Sequence, residues 1–404
     1  MIPGSAETGV VVIGAGVAGC AAAITLRQAG IEVTLVDKAS GSPQRFCGEF
    51  VSGEALDSLD ELGVSGQVAS MGPTRVRRLR MHTMAGCRYE LLLGREGLGL
   101  SRRALDSTLL RRAVELGARP MMGARVLAID GNEESGYRVR VTGESESQQT
   151  VIHSKAVIGA YGKRSAIDRI LGRNFVRQSN PYIGVKCHFR GAARVDRVEL
   201  YLFRGGYCGV VGVERGKTNV CLLATRKALQ RSSGSPVGLL ETVGRDNADF
   251  ARRMSEAEPV EGTLMVISQI PFRPKRQVVN EVFMAGDSAG VMPPFLGIGV
   301  AAALRSGWAC GEVTGRWVRR ELDFDGARGI YETWWRQGFG TSQKWGNVAS
   351  RLLCRRAAGS AVVKGLNLFP RLGDLYYRRT RILMPAMGLR DGPPLARGAA
   401  LDSR

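Results

Sequence analysis

Four branched aliphatic residues that run straight into a glycine loop constrain this chain more than any other feature. Val10-Val11-Val12-Ile13 leads without a break into Gly14-Ala15-Gly16-Val17-Ala18-Gly19. Such a run reads as a strand buried on both faces of a parallel sheet. Residues 20–28 are an alanine-rich helix former that Gly30 ends, residues 32–36 form a second strand, and Asp37 closes it. A bound dinucleotide needs this order. Gly14 allows the tight turn, Gly16 lets backbone approach a pyrophosphate, and Gly19 lets helix and strand pack closely. The helix start offers unpaired N–H groups to the phosphates. Asp37 is placed to accept hydrogen bonds from both ribose hydroxyls of the adenosine half. With 53 glycines in 404 residues, this glycine spacing arises by chance about once in such a chain. The flanking strand, the helix and the acid 18 residues past the last glycine carry the assignment. The alternative is a glycine turn that holds no ligand.

Composition narrows the class. A chain of 404 residues exceeds one ordinary core, so two domains or an elaborated one are expected. At 44% apolar and 23% charged it is globular rather than disordered or fibrous. Its eight cysteines contain no CxxC pair and only three histidines accompany them, which leaves no zinc cluster to assemble. With no basic n-region in residues 1–8, the thiols are expected reduced and the protein cytoplasmic. The uncharged stretch 9–26 has the length of a membrane span, but its glycines belong to the nucleotide loop.

A second constellation lies far downstream. Val282-Phe283-Met284-Ala285 delivers Gly286-Asp287, followed by Ser288-Ala289-Gly290, Pro293-Pro294 and Gly297-Ile298-Gly299, with an apolar helix over about 300–318. The arrangement resembles the second FAD fingerprint of the flavoprotein monooxygenase and geranylgeranyl reductase superfamily. That resemblance implies FAD as cofactor, with Gly286 and Asp287 at the ribityl chain. It also implies that the backbone from Gly297 to Gly299 faces the flavin pyrimidine, where a helix N-terminus stabilises negative charge. Two further segments agree. Ser101-Arg102-Arg103-Ala104-Leu105-Asp106 matches the family's Ser-Arg-x-x-Leu-Asp, which implies that Arg102 touches the cofactor; a solvated helix-start arginine is the alternative. Val157-Ile158-Gly159-Ala160-Tyr161-Gly162 matches its strand-Gly-Ala-Asp-Gly segment, with Tyr161 in place of the aspartate. That departure bears on reduction by NAD(P)H and leaves FAD binding intact.

The fold implied is α/β: a Rossmann-like FAD-binding domain of the glutathione reductase type with a parallel sheet, an inserted, mainly antiparallel β-sheet substrate domain, and a helical C-terminal region. Residues 1–73, 96–174 and 271–320 are assigned to the first, 74–95 and 175–270 to the second, and 321–404 to the third. Apolar strands punctuated by Gly206, Gly216 and Pro271 support the insertion.

Three side chains are candidates for chemistry. Cys47 follows the second strand, where the resemblance places a Cys-Gly segment close to the flavin; it is a redox or proton-donating thiol, or it merely packs beside Gly48. Glu49 is a candidate proton relay. His188 alternates faces with Cys187 on a strand and is either a general acid or a structural histidine. The tryptophan-halogenase motif Trp-x-Trp-x-Ile-Pro is absent, as is the Tyr-x-Trp-x-Phe-Pro of many geranylgeranyl reductases. The reading is therefore an NAD(P)H-dependent monooxygenase acting on a small or lipophilic organic substrate. Its rivals are a flavin-dependent C=C reductase of a prenyl or polyene lipid and a non-catalytic flavin-holding or membrane-scaffold protein.

Net charge is +20, from 57 basic and 37 acidic residues. Residues 316–404 hold 17 basic against 7 acidic residues, and all five tryptophans lie in or just before this stretch. Clusters over 351–356 and 376–381 mix arginine with apolar residues. Such helices either lie on the anionic inner face of a membrane as a peripheral contact or cap the FAD domain with arginine outward. No recognition motif accompanies the charge, so nucleic acid is not an expected partner. Oligomeric state is not legible.

Overall fold

The computed structural model describes residues 5–143, 149–193, 195–353 and 356–381. Strand Ser5–Ile13 lies inside a parallel sheet, paired with Val33–Asp37 on one side and Gln149–Gly159 on the other. Val10, Val11 and Val12 are wholly buried, which is why the run carries no polar alternation. Arg119–Met122 extends the sheet beyond Val33–Asp37, and Val282–Met284 extends it beyond Gly159. Arg125–Asn132 and Gly136–Thr142 form a hairpin whose second arm pairs antiparallel with the earlier half of Gln149–Gly159. Helices Val17–Gln28 and Gly299–Val318 pack side by side. A Cβ on Gly307 would stand 2.2 Å from the Ala18 carbonyl oxygen and one on Gly311 2.9 Å from that of Ala22. Small residues on both helices permit this approach.

A second sheet of nine strands, among the described residues, covers the carboxyl ends of the first. Its centre is Tyr182–Arg190, Thr218–Thr225, Gly206–Gly212, Arg197–Phe203, Thr74–His82 and Arg88–Gly99, antiparallel except where Arg197–Phe203 runs parallel to Thr74–His82. The α/β class expected from the sequence holds, with its parallel sheet, its second, mainly antiparallel sheet and its C-terminal helices. At the junction, however, the sheet takes residues from both flanks assigned to the nucleotide domain. Phe50–Val51 pairs with Leu98 and Gly99. The chain leaving Asp37 must cross to the second sheet to reach these partners, and in crossing it presents residues 45–49 between the layers.

Phe324–Leu353, Arg356–Leu368 and Pro370–Thr380 form the C-terminal helices. Trp334, Trp335 and Phe339 are buried, and the Tyr331 hydroxyl donates to the Met284 carbonyl at 2.6 Å, so the first of these helices is bolted to the parallel sheet. Gly373 is where the last helix meets the second sheet; a Cβ there would overlap the Tyr89 hydroxyl. Arg355, Cys354 and residues 382–404, part of the basic region read from the sequence, lie outside the described residues. No helix among the described residues is long and apolar enough to cross a membrane, and none of their His, Cys, Asp and Glu side chains cluster as a metal site.

Candidate functional site

Three parallel strands end side by side at Ile13, Gly159 and Met284, where the glycine-rich turns leave the sheet. Ligands in open α/β sheets bind outside such carboxyl ends. Gly14 has φ +110°, and a Cβ on it would meet the Ala160 carbonyl at 2.4 Å. A Cβ on Gly19 would stand 1.7 Å from the Gly14 oxygen. Both glycines are required by the turn itself. Gly16 is different: its position faces the Arg102 guanidinium at 3.7 Å and that of Arg45 at 3.8 Å, with no backbone in the way. Asp106, 1% exposed, holds both arginines from behind, Arg102 through two bonds of 2.8 and 2.9 Å and Arg45 at 2.9 Å. Burial depresses Arg102, but Asp106 and the Cys47 thiol beside it outweigh this and raise its pKa. Asp37 accepts from the Ala15 and Ala39 amides at 2.7 and 2.9 Å and pairs with Arg45 at 3.0 Å. Its carboxylate thus also fastens the glycine turn.

The second glycine cluster faces the first. Gly286 has φ +60°, and Ser288 bonds both the amide and the carbonyl of Gly162. Asp287 stands 3.8 Å from the Lys163 ammonium. Gly297 has φ +67°, where a Cβ would strike the Phe50 ring at 2.8 Å. The helix that starts at Gly299 has no side-chain cap, and Gly299 and Val300 of its first turn line the cavity, where a helix N-terminus favours negative charge. Arg381 donates to the Leu296 carbonyl at 2.9 Å and ties the last helix to this loop.

Between the layers lies a cavity of about 1040 Å³. Gly16, Cys47, Glu49, Arg102, Gly286, Asp287, Gly297 and Gly299 line it, whereas Gly14, Gly19, Asp37 and His188 stand behind its wall. Arg45, Lys163, Arg164, Gln269 and Arg381 add further polar groups to its wall, and much of the remainder is aliphatic and aromatic, with Leu91, Leu200 and Ile267 from the second sheet and Leu366 and Tyr376 from the C-terminal helices. Bare glycine backbone, two guanidiniums and an uncapped helix start along one elongated cavity fit an FAD laid across the strand ends. The pyrophosphate would lie at Gly16 and the ring near residues 297–299.

The candidates for chemistry converge on one loop. Glu49, 1% exposed with φ +56°, accepts from the Lys186 ammonium at 2.5 Å and the Arg102 amide at 2.9 Å, and bonds His188 Nε2 at 2.6 Å. Burial pushes the Glu49 carboxyl up, but the His188 bond and the Lys186 charge prevail and hold it below the usual carboxylate range. Lys186 also donates to the Arg45 carbonyl, and Asn219, paired opposite His188, donates to the carbonyls of Cys47 and Gly48 at 3.3 and 2.8 Å. One polar face of the second sheet therefore clamps residues 45–49 over the nucleotide cradle. The Cys47 thiol accepts from the Glu49 amide at 3.3 Å. Burial pushes the thiols of Cys20, Cys208, Cys221 and Cys310 up, which leaves them inert.

Lys186 had a sequence signal that went unused. It stands two residues before His188, so both share a strand face, and a lysine within an otherwise apolar strand demands a buried partner. The Tyr161 hydroxyl, in place of an aspartate, bonds Asp168 and Arg173 at 3.1 Å each, and Arg173 pairs with Asp168. Lys275 donates to the Lys163 and Asp287 carbonyls at 2.7 Å each and so joins the turn after Gly162 to the Gly286-Asp287 turn. Burial drives its ammonium down to about 7, against the opposing pull of Asp168 and Asp287. Between that value and its ordinary 10.5 the unfolded chain keeps a proton that the folded protein has shed. Stability contributed by Lys275 therefore rises with pH across this window, by at most about 1.4 kcal/mol per pH unit. Urea unfolding at about pH 7.5 and about pH 9.5 should show that rise in the wild type relative to Lys275→Gln.

Residues 7–308 match the family described as FAD binding domain. Over 364 residues the chain is 27% identical to digeranylgeranylglycerophospholipid reductase 2 of Methanopyrus kandleri, covering 86% of each chain. Menaquinone reductase of Mycobacterium tuberculosis is 26% identical over 325 residues, 75% of this chain and 76% of that one. Among solved structures, a flavin-dependent brominase superposes with a TM-score of 0.79 at 18% identity over 93% of both chains. That last likeness is one of fold.

Proposed function

The chain belongs to the FAD binding domain family and is an FAD-dependent oxidoreductase; we propose that its reaction is the reduction of C=C bonds in a lipid carrying prenyl chains, with NAD(P)H as the source of electrons. The carrying observation is the cavity, in which the cradle for the cofactor continues without a partition into a chamber walled by leucine, isoleucine and aromatic side chains. At about 1040 Å³ it reaches the top of the ~300–1,000 Å³ range of ligand pockets. A hydroxylase for a small polar aromatic needs convergent polar anchors, whereas Leu79, Met81, Leu91, Leu93 and Leu200 give the second-sheet wall an aliphatic surface. Two relatives are named as reductases, one of a digeranylgeranyl lipid and one of menaquinone. These observations favour reduction over the hydroxylation that the sequence motifs first suggest.

FAD bound in the cradle supplies hydride chemistry at its ring. The chain's own part is positional and acid–base. Arg45 and Arg102 hold the pyrophosphate, Asp287 the ribityl chain, and the amides at Gly299 and Val300 favour the negative charge that reduction brings. Leu91, Leu200 and Ile267 hold a prenyl segment and exclude water. Cys47, lining the cavity on the clamped loop, is placed to hand a proton to the second alkene carbon, and Glu49, held by His188 and Lys186, keeps that loop in register.

Anaerobic incubation of the FAD-loaded protein with NADPH or dithionite and a geranylgeranyl-chain lipid tests the reading. Mass spectrometry should show two hydrogens gained per double bond. Substrate-stimulated oxygen uptake with an oxygenated product would restore the hydroxylase in its place.

A further inference from the structure

Among the described residues, seven of the thirteen large apolar side chains exposed to solvent fall on the C-terminal helices. Trp345, Val348 and Leu352 on helix Phe324–Leu353 are 54%, 46% and 42% exposed. Leu368, Phe369, Leu372 and Leu375, at the turn into the last helix and along it, are 75%, 63%, 55% and 53% exposed. Exposed apolar residues scattered singly need no explanation, but a contiguous group does. The two sets are contiguous: the Tyr376 hydroxyl donates to the Trp345 carbonyl at 3.3 Å, and Leu372 stands one turn before Tyr376.

The half of the patch on the first of these helices is also the rim of the cavity. Trp345, Val348 and Leu352 line the chamber while remaining exposed, and Tyr376 lines it from the facing helix. Charge surrounds the same place. Residues 344–381 carry nine basic side chains against one acidic, Asp374. Lys344, Lys364, Arg371, Arg378 and Arg379 are exposed.

We propose that these helices dock the protein on an anionic lipid bilayer, with the turn at 368–372 inserted among the headgroups and the mouth of the cavity set against the membrane. Apolar side chains flanked by arginine and lysine suit that surface, since insertion buries the former and the anionic headgroups attract the latter. A neutral protein partner would leave the basic residues without counter-charge. The route it gives a hydrophobic substrate, from bilayer to chamber without crossing water, rests on the lipid-reductase reading; the docking itself does not.

The test is flotation of the FAD-loaded full chain with vesicles of phosphatidylglycerol or of phosphatidylcholine, alongside Phe369→Glu/Leu372→Glu. Both positions are exposed, so the variant should keep its flavin absorbance and melting temperature. The wild type should float with phosphatidylglycerol at low salt and be released by high salt. The variant should partition at least about tenfold more weakly. Failure of the wild type to float, or equal flotation of the variant, overturns docking. So does a wild-type dimer that the paired substitution dissociates without any vesicle binding, since a second copy then covers the patch. Turnover of detergent-dispersed prenyl lipid reports separately on the reaction. If flotation holds while both proteins lack that turnover, docking stands and the reductase reading fails; unimpaired turnover by a variant that no longer floats supports both.

Discussion

Glu49→Gln is expected to lower the unfolding free energy by about 3–5 kcal/mol, a large share of the roughly 5–15 kcal/mol that holds a domain together. Lys186 is 0% exposed, and among the described residues its ammonium donates to the Glu49 carboxylate and the Arg45 carbonyl. Removing the negative charge strands a cation where water cannot reach it. Lys186→Met should cost less, because the Glu49 carboxylate keeps His188 Nε2 and the Arg102 amide. The paired change Glu49→Gln/Lys186→Met should cost clearly less than the sum, because neither charge is then left alone. Urea titrations of the four proteins measure this, and additive losses would mean that the two groups do not act as a pair. The pH dependence has a definite sign. The Glu49 carboxyl lies below its ordinary value of 4.5 when folded. Its stabilisation is therefore complete above that value and disappears as pH falls through the lower, folded one. Glu49→Gln should lose this part of the acid sensitivity.

The same cluster marks where the sequence stops being legible. Gly14, Gly19 and Gly297 announced themselves because steric exclusion is local: a positive φ or a carbonyl 1.7 Å from a Cβ leaves only glycine, and the neighbouring strand and helix supply the context. Glu49 and His188 could be singled out as polar residues beside the expected ring, but nothing in the linear order shows that they touch each other. They are 139 positions apart and meet only because residues 45–49 cross between sheets. Lys186 was legible in principle from strand alternation. The tryptophans show a different limit. Trp334 and Trp335 are buried on the sheet while Trp345, on the same helix, is half exposed at the cavity rim. Clustering with arginine suggested one shared role for all of them. Helix phase and the neighbours on each side separate the cap residues from the surface residues, and phase relative to a sheet is a tertiary fact. Tyr161 follows the same logic: its hydroxyl meets the Asp168 carboxylate seven residues later, a contact that the turn sets and the linear order does not show.

Gly16→Val should fold normally and fail to hold FAD. Gly16 has φ −86° and ψ −173°, an extended conformation that a β-branched residue adopts without strain. Its Cβ would meet nothing nearer than 3.7 Å, and that neighbour is the tip of Arg102. The two further methyl groups would occupy the space between Gly16, Arg45 and Arg102 where the pyrophosphate is placed. Backbone approach and two charge-assisted contacts are then lost together, for an affinity at least about a hundredfold weaker, or about 2.7 kcal/mol. Gly19→Ala is the contrasting control. Its Cβ would fall 1.7 Å from the Gly14 oxygen, so helix and strand must separate and the polypeptide itself should be destabilised. Thermal melts of the apoproteins together with FAD titrations followed by flavin fluorescence distinguish the two. A Gly16→Val protein that melts like the wild type but binds FAD with unchanged affinity would move the phosphates away from this loop, and with them the orientation of the ring toward the apolar chamber.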